Sequence, residues 1–384
     1  MLDKTDNKIK ITVIGIREID VIYSGYETFV RKIIRYSNLN RFSYYFCVRK
    51  NYKSRLKKLK EYSLVSIPTV KNKYFETILY SFFATLHSIV KDTEIILFLG
   101  LSNAFFLYLL KLARKKVIVN VDGLDWQRKR WNKFGKLYLK LCESITIRFA
   151  DFIVCDSKTI YKYYNEKYGH RIDNLIYIPY GASVHVRKPG RILEKFKLKP
   201  YRYIHFVGRL TPENCVEDLI LAFKSTHTNY KCVIIGDSVY EDRYKKYLKE
   251  IAQTDDRIIF TGFLKGTSYE EICSNSGLYV ETKSAGGTHP SLLEAIAFGN
   301  FVIAKDKGEI QEVLKANFWL YSNQSGYKSL RSYLKKYFKQ KVINCSIHKR
   351  IRTINHKHII ANYKWQNIMD DYENLFLHLN QSRP

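Results

Sequence analysis

The sequence predicts two doubly wound α/β domains, each a parallel sheet covered by helices on both faces. Short apolar runs rich in β-branched and aromatic residues alternate with segments of helical periodicity along almost the whole chain. The alternation pauses near "SVHVRKPGR", residues 183–191, and then resumes. The 384 residues suffice for two cores of ordinary size. Strand and helix alternation of this kind is typical of parallel sheets.

The first predicted domain comprises residues 1–185 and the second residues 186–360. Strands of the first are expected at 9–16, 42–48, 94–100, 116–123, 152–157 and 175–181, with helices such as 26–37 and 132–149 between them. Strands of the second are expected at 203–210, 230–237, 257–263, 277–282 and 301–306. Ligands of such sheets bind beyond the carboxyl ends of the strands, so we expect functional residues in the loops that follow strands.

Residues 94–113 form the most apolar segment of the chain. The segment approaches the length of a membrane span, but Gly100, Ser102 and Asn103 interrupt it in the middle. We therefore expect a strand at 95–99, a turn and a helix at 103–113 rather than a transmembrane helix.

The chain is strongly basic, with a formal net charge of +29. Such an excess calls for a polyanionic partner or surface, and nucleic acid, anionic lipid head groups and sugar phosphates all qualify. The basic run at 49–60 is our candidate for contact with an anionic membrane, and a solvated helix explains it equally well. The run at 328–341 is interpreted as a solvated helix face. Nucleic acid is not expected, because most aromatic residues lie in apolar periodic segments that resemble a core.

The seven cysteines show no pattern of a metal or disulfide site. They are scattered, with no Cys-x-x-Cys pair and no histidine cluster at metal spacing. The polar N-terminus "MLDKTDNKIK" lacks the apolar core of a signal peptide. We therefore expect a cytoplasmic protein with reduced, buried cysteines.

The segment "SAGGTHPSLLEAIAFGN", residues 284–300, predicts a sharply delimited helix. Pro290 suits the first helical position, Thr288 or His289 the cap, and Gly299 the position just past the end. Gly286 and Gly287 would let a ligand approach the unpaired N–H groups of the first turn. That geometry suits a phosphate, although an ordinary tight turn has the same pattern.

Two further loops follow predicted strands. Gly25 closes the loop after the first strand, directly before a helix with apolar residues on one face. Arg209, in "VGRLTPEN", leaves a strand end and could donate to a phosphate. Glu294 lies one turn into the helix of 290–298. There its negative charge interacts favourably with the helix dipole, or its carboxylate could accept hydrogen bonds from two ribose hydroxyls. Together the loops predict a site for a nucleoside diphosphate.

The motifs "YSGYETFV", "NVDGLDWQRKRW", "YIPYGA", "VGRLTPEN" and "GGTHPSLLEA" occur in an order that resembles bacterial glycosyltransferases of the GT-B fold, in the retaining family four. The sequence looks most like the rhamnosyltransferase-type members that assemble surface polysaccharides. This resemblance implies transfer of a sugar from a nucleotide donor, with dTDP-rhamnose suggested, to a saccharide acceptor that is often lipid-linked at the inner membrane face. It also implies that a helix within residues 361–384 crosses back to the first domain.

The chain departs from the wider family at three positions. Two glutamates usually stand eight positions apart, and the second matches Glu294 whereas the first would fall at Gly286. The lysine that usually follows the arginine falls at Asn214, and a histidine of the first domain corresponds to Asp122. A catalytically inactive protein that binds a nucleotide sugar or a polysaccharide is the alternative that these changes support, and a basic nucleic-acid binder is the less favoured alternative.

The resemblance implies a role for each candidate residue. Glu294 would bind the ribose, while Arg209, Asn214 and the segment of Gly286, Gly287, Thr288 and His289 would hold the diphosphate and sugar. The transferred sugar would project towards Asp122 and the loop of Gly25, and Asp122, Arg209 and Glu294 form the expected catalytic set. No Asp-x-Asp motif occurs, so we expect neither a metal ion nor a cofactor beyond the donor substrate.

Overall fold

The computed structural model describes residues 8–19, 25–50, 62–70, 72, 75–102, 104–128, 131–238, 241–284, 286–315, 318–322, 324–339 and 345–381. The chain divides into two compact units. Unit 1 consists of residues 1–127, 131–180 and 365–384, and unit 2 of residues 128–130 and 181–364. The units therefore divide after residue 180, where the sequence suggested 185, and the last segment of unit 1 starts at residue 365.

Unit 1 contains a seven-stranded parallel sheet in the order β3-β2-β1-β4-β5-β6-β7. Its strands are β1 (Ile9–Ile14), β2 (Phe42–Arg49), β3 (Tyr62–Ile67), β4 (Ile95–Leu99), β5 (Lys116–Val121), β6 (Phe152–Cys155) and β7 (Leu175–Tyr177). The intervening helices are α1 (Gly25–Tyr36), α2 (Phe75–Val90), α3 (Leu107–Leu112), α4 (Lys133–Phe149) and α5 (Lys158–Tyr168). Helix α1 buries Phe29, Val30 and Ile33, which lie on its predicted apolar face.

Side-chain caps fix where two of these helices start. Asn132 accepts a hydrogen bond from the backbone N–H of Gly135 at 2.9 Å, and α4 begins directly after it. Ser157 accepts from the N–H of Ile160 at 3.1 Å, and α5 follows. The Ser157 cap comes two residues after β6 ends, whereas the Asn132 cap comes eleven residues after β5, beyond the 3-10 turn Asp125–Gln127.

The most apolar segment folds as a strand, a short 3-10 turn and a helix, as the sequence predicts. Strand β4 is followed by the 3-10 turn Ala104–Phe106 and by α3. Among the residues that the structure describes, no helix combines the length and the apolar character that a membrane span requires.

Unit 2 contains a six-stranded parallel sheet in the order β10-β9-β8-β11-β12-β13. Its helices are α6 (Arg191–Lys195), α7 (Val216–Lys224), α8 (Asp242–Ala252), α9 (Gly266–Ser274), α10 (Pro290–Phe298), α11 (Gly308–Gln311), α12 (Gly326–Lys339) and α13 (Cys345–Asn362). Its strands are β8 (Tyr203–Val207), β9 (Lys231–Ile235), β10 (Ile258–Gly262), β11 (Leu278–Glu281), β12 (Phe301–Lys305) and β13 (Phe318–Tyr321). Helix α12 covers most of the basic run that the sequence suggested as a helix face.

The last helix, α14 (Trp365–Gln381), belongs to unit 1. Its Tyr372 hydroxyl accepts a hydrogen bond from the Asn120 amide at 2.6 Å. The ring of Tyr372 lies 4.9 Å from that of Phe29, and the ring of Phe376 lies 5.9 Å from that of Phe42. Helix α14 therefore covers one face of the unit 1 sheet with aromatic side chains.

The predicted fold class is confirmed, and each predicted strand coincides with an observed parallel strand. Strands β3 and β13 were not predicted. The described cysteine side chains, Cys47, Cys142, Cys155, Cys215, Cys232 and Cys273, are free and buried.

Candidate functional site

The candidate site of unit 2 lies at the point where the order of strands in its sheet reverses. Strand β8 pairs with β9 on one side and with β11 on the other. The loops after β8 and β11 therefore leave the sheet next to each other at its carboxyl edge. Ligands of doubly wound sheets bind at this switch point. The first loop carries Arg209 and the second leads into α10.

The loop of Arg209 is fixed by close contact with its neighbour after β9. Gly236 has a φ of +137°, and a Cβ atom there would lie 1.9 Å from the carbonyl oxygen of Gly208. The N–H of Gly208 donates to Ile235 at 3.0 Å, and the N–H of Leu210 donates to Asp237 at 3.2 Å. Only glycine at position 236 allows this approach of the two backbones.

Asn214 holds the backbone on which Arg209 sits. Its side-chain amide donates to the Arg209 carbonyl at 2.6 Å, and its own carbonyl accepts from the Thr282 hydroxyl at 2.6 Å. The Glu213 carbonyl next to it accepts from the N–H and the hydroxyl of Ser284, at 3.0 and 2.7 Å. Asn214 thus connects the two loops of the switch point.

A buried charge cluster lies beneath the start of α10. The Lys283 ammonium lies 2.9 and 3.1 Å from the two carboxylate oxygens of Glu281, and it donates to the Ser291 hydroxyl at 2.8 Å. The Tyr279 hydroxyl donates to Glu281 at 2.8 Å, and Nδ1 of His289 lies 3.4 Å from the same carboxylate. Because Ser291 and His289 belong to the start of α10, the cluster anchors this helix to the end of β11.

The pKa values of this cluster show how its charges are balanced. Burial by itself would raise the pKa of Glu281, but Lys283 and His289 hold it below its ordinary value. Burial lowers the pKa of Lys283, the Glu281 carboxylate opposes that shift, and the positive charge of Arg209 lowers the pKa further. Arg209 therefore lies within electrostatic reach of the cluster, and its positive charge adds to that of Lys283.

Helix α10 has the predicted boundaries. Pro290 occupies its first turn and Gly299, with φ of +82°, ends it in the left-handed conformation. Of the two predicted cap residues, His289 is the cap, and its side chain makes no capping hydrogen bond. Gly286 has a φ of +135°, and a Cβ atom there would lie 2.8 Å from Nε2 of His289. Gly287 and Thr288, between them, are buried.

Glu294 is held by a tyrosine from a neighbouring helix. The Tyr269 hydroxyl of α9 donates to Oε2 of Glu294 at 2.6 Å. Burial raises the pKa of Tyr269, and the negative charge of Glu294 raises it further. The phenol therefore keeps its proton and fixes the orientation of the carboxylate.

In unit 1 the structure places Asp122 near Tyr26. Asp122 follows β5, and Tyr26 is the second residue of α1, directly after Gly25. Burial raises the pKa of Tyr26, and the charge of Asp122 adds to the shift, as does that of Asp125. Gly25 and Asp122 are thus brought into one region through Tyr26, while residues 20–24 of the Gly25 loop lie outside the described residues.

The loop of Asp122 is fixed by a buried glutamate. Glu143 of α4 accepts a hydrogen bond from the indole N–H of Trp126 at 3.2 Å. Its other oxygen accepts from the hydroxyls of Tyr163 and Tyr168, at 2.9 and 2.7 Å, and from the Lys167 ammonium at 2.8 Å. The 3-10 turn Asp125–Gln127, and with it the loop after Asp122, is thereby attached to α4 and α5.

Sequence reasoning missed several of these residues, namely Tyr26, Glu143, Tyr269, Glu281 and Lys283. A signal existed for two of them, because Glu281 ends the apolar run "LYVE" and Glu143 lies among apolar residues in "LCESITI". A carboxylate in an apolar context needs a partner when it is buried. The basic run at 49–60 lies almost wholly outside the described residues, and in the described part no group of three or more potential ligands could hold a metal ion.

Family comparisons match both halves of the chain. Residues 8–183 match a family described as a domain of unknown function, DUF1972, and residues 191–355 match the family described as glycosyl transferases group 1. The second match lies within unit 2. No curated protein matches the sequence.

Solved structures with the GT-B fold are similar to this chain over almost its full length. Sucrose-phosphate synthase from Thermosynechococcus elongatus aligns with a TM-score of 0.82 at 15% identity, covering 98% of this chain and 100% of that chain. HepE of Anabaena in complex with UDP-glucose aligns with a TM-score of 0.74 at 14% identity, covering 96% and 100%. A glycosyltransferase from Rickettsia africae aligns with a TM-score of 0.74 at 15% identity, covering 98% and 100%. At these identities the likeness shows the fold.

Proposed function

We propose that the protein is a glycosyltransferase that moves a sugar from a nucleotide-sugar donor to a saccharide acceptor. The observation that carries the proposal is the switch point of unit 2. There the Arg209 loop and the start of α10 are tied together by Asn214, Thr282 and the Glu281–Lys283 pair, within the region that matches glycosyl transferases group 1. HepE, which has a similar fold, is described with UDP-glucose bound.

The charges of the switch point suit a diphosphate. A helix N-terminus carries unpaired N–H groups and partial positive charge, and Arg209 adds a permanent cation. Breaking the bond between sugar and diphosphate leaves negative charge on the diphosphate oxygens. Donors that are already fixed in place stabilise this charge as it develops. Glu294, oriented by Tyr269, accepts the ribose hydroxyls of the donor in this proposal.

The finer parts of the proposal come from the resemblance. They are a dTDP-rhamnose donor, a lipid-linked acceptor at the inner face of the cytoplasmic membrane, retention at the anomeric carbon and catalysis without a metal ion. Asp122 and Tyr26 are the groups of unit 1 that we propose for the reacting hydroxyl. Gly286 and Asn214 stand where a glutamate and a lysine are usual in the wider family. These two differences favour one other candidate function, that of a protein that binds the nucleotide sugar without turning it over.

Nucleotide binding tests the proposed donor site. Thermal unfolding is measured with UDP, dTDP, GDP and ADP, since a ligand at a hundred times its Kd stabilises by roughly 2.7 kcal/mol. We expect one nucleotide to stabilise the protein, and Arg209→Ala and Glu294→Ala to abolish that effect. Arg331→Ala and Glu250→Ala, at exposed positions of the same unit, are matched controls that should respond like the parent.

The same proteins are then incubated with the corresponding nucleotide sugars. Release of nucleoside diphosphate that is lost in Arg209→Ala and Glu294→Ala supports a transferase, whereas binding without release supports the binding protein. If Arg209→Ala and Glu294→Ala are stabilised as much as the parent, the proposed site is in the wrong place.

A further inference from the structure

Among the described residues, unit 1 exposes many large hydrophobic side chains on α2, α3 and α4. On α2, the large hydrophobic residues Phe75, Ile78, Phe83, Leu86 and Val90 are exposed and recur every three to five residues along one side. Val90 is 89% exposed. Glu76, the carboxylate of this helix, is buried against Arg49. The solvent side of α2 is therefore apolar, whereas the solvent side of a helix in a globular protein is normally polar.

The neighbouring helix α4 repeats this arrangement. Phe134, Leu137, Tyr138 and Leu141 are exposed and spaced at three and four residues, with Phe134 at 81% and Leu137 at 67%. They form a stripe along the N-terminal half of α4. Clustered exposure of this kind marks an interaction site, whereas single exposed hydrophobic residues are ordinary.

The 3-10 turn Ala104–Phe106 and α3 join the two stripes. The ring of Phe106 lies 5.7 Å from that of Phe82 on α2, and the ring of Phe105 stacks on that of Tyr138 on α4 at 5.4 Å. Tyr108 and Leu112 of α3 are exposed between them. We call the exposed hydrophobic residues of α2, the turn, α3 and α4 the apolar face.

Cations border the apolar face. Lys133, Lys136 and Lys140 are exposed along one edge of the α4 stripe, and Arg148 is exposed at the far end of that helix. Glu143 is the one carboxylate in the sequence of α4, and it is buried. The exposed part of α4 thus combines apolar side chains with positive charge and carries no carboxylate.

We propose that the apolar face is a docking surface for an anionic lipid bilayer. Helices that lie in a membrane interface have an apolar face with aromatic residues and lysines beside it, and their binding combines burial of apolar surface with attraction to anionic head groups. The net charge of +29 fits the same surface. The earlier candidate at 49–60 is not needed for this contact.

The position of the apolar face connects it with the proposed reaction. Helices α2, α3 and α4 follow β3, β4 and β5, so each starts at the carboxyl edge of the unit 1 sheet, where Asp122 lies. This step rests on the proposed function. A bilayer at this face would present a lipid-linked acceptor close to Asp122 and Tyr26, which we propose as the groups that bind the reacting hydroxyl of the acceptor.

Vesicle sedimentation tests the apolar face. The full chain is mixed with vesicles of phosphatidylcholine alone or of phosphatidylcholine with phosphatidylglycerol, in the absence of nucleotide. We expect binding to the mixed vesicles that weakens with salt, and about a tenfold or greater loss of binding in Phe134→Ser/Leu137→Ser, because two large apolar groups no longer leave water. Lys133→Gln/Lys136→Gln should weaken binding and reduce its salt dependence.

Val186→Ser, at a 43% exposed hydrophobic residue of unit 2, is the matched control and should bind like the parent. The proposal is overturned if the parent does not bind mixed vesicles, if binding is insensitive to salt, or if Phe134→Ser/Leu137→Ser binds as well as the parent. It is also overturned if the lipid-free parent is a dimer that this variant dissociates, because the face then belongs to a second copy. The vesicle assay contains no donor and the nucleotide assay no lipid, so each proposal can fail without the other.

Discussion

Each unit buries a carboxylate beneath its candidate functional loop, but the two carboxylates have different partners. In unit 2, Glu281 is paired with Lys283, which is itself buried, and His289 lies beside them. In unit 1, Glu143 accepts hydrogen bonds from Trp126 and two tyrosines, and its one cation, Lys167, is partly exposed. The Glu281 carboxylate neutralises a buried positive charge, whereas the Glu143 carboxylate accepts hydrogen bonds mainly from neutral donors. We therefore expect the same substitution to have different consequences in the two units.

Glu281→Gln should lower the free energy of unfolding more than the other substitutions. It leaves the Lys283 ammonium buried without its counter-charge, and breaking one partner of a buried pair costs about 3 to 5 kcal/mol. Urea unfolding followed by circular dichroism measures the loss. The double variant Glu281→Gln/Lys283→Met removes both charges and should recover part of the stability. Glu250→Gln, from the exposed pair with Lys246, is the control and should change the free energy of unfolding little. Equal effects of Glu281→Gln and Glu250→Gln would contradict the buried pair.

Glu143→Gln should destabilise the protein less, by about 1 to 3 kcal/mol, because it weakens hydrogen bonds but leaves no fully buried cation unpaired. Its second expected effect is on function. The loop of Asp122 loses a charged anchor at Trp126, so transfer should slow, while stabilisation by the nucleotide, which we place in unit 2, should stay as in the parent. Glu166→Gln, from an exposed pair on α5, is the matched control. A loss of nucleotide binding in Glu143→Gln would contradict this division of roles.

Two buried histidines of unit 2 should make the free energy of unfolding depend on pH. Burial lowers the pKa of His205 from 6.5 to about 3, and burial together with Arg352 lowers the pKa of His348 to about 4. Both imidazoles are therefore neutral in the folded protein at pH values where the unfolded chain already binds protons. Their contribution to stability is complete above about pH 6.5 and is lost as the pH falls towards 4.

For His205 the loss between pH 6.5 and 5 is about 2 kcal/mol. Urea unfolding of the parent and of His205→Phe at these two pH values tests the prediction, because only the pH dependence is compared and not the stability itself. The variant should show a smaller decrease on acidification. An equal decrease in both proteins would mean that His205 is protonated in the folded state.

Local patterns were enough to predict the parts of the fold that depend on neighbouring residues. The start and end of α10 followed from Pro290 and Gly299, and the strand ends from the alternation of patterns. Strands β3 and β13 escaped prediction. Each lies at the edge of its sheet, and three of the six residues of β3 and three of the four residues of β13 are only partly buried, so their apolar signal is weak.

The partners at the candidate sites could not be predicted, because they come from distant parts of the chain. Tyr269 reaches Glu294 from another helix, and Glu143 is reached by Trp126 from the 3-10 turn after β5 and by Tyr163 and Tyr168 from α5. At position 214 the sequence shows only that an asparagine stands where a lysine is usual. The structure shows the Asn214 amide on the Arg209 carbonyl, a contact that no spacing rule contains.

The placement of α14 has a consequence for how the protein folds during synthesis. Unit 2 is almost continuous in sequence, so its sheet can form as soon as the ribosome has produced it. Unit 1 needs Tyr372 and Phe376 against Phe29 and Phe42, and these aromatic residues of α14 follow unit 2 in the sequence. Domains usually fold in the order of their synthesis. Here α14 is made after unit 2 while the rest of unit 1 is made before it, so the nascent chain carries uncovered aromatic surface while unit 2 emerges.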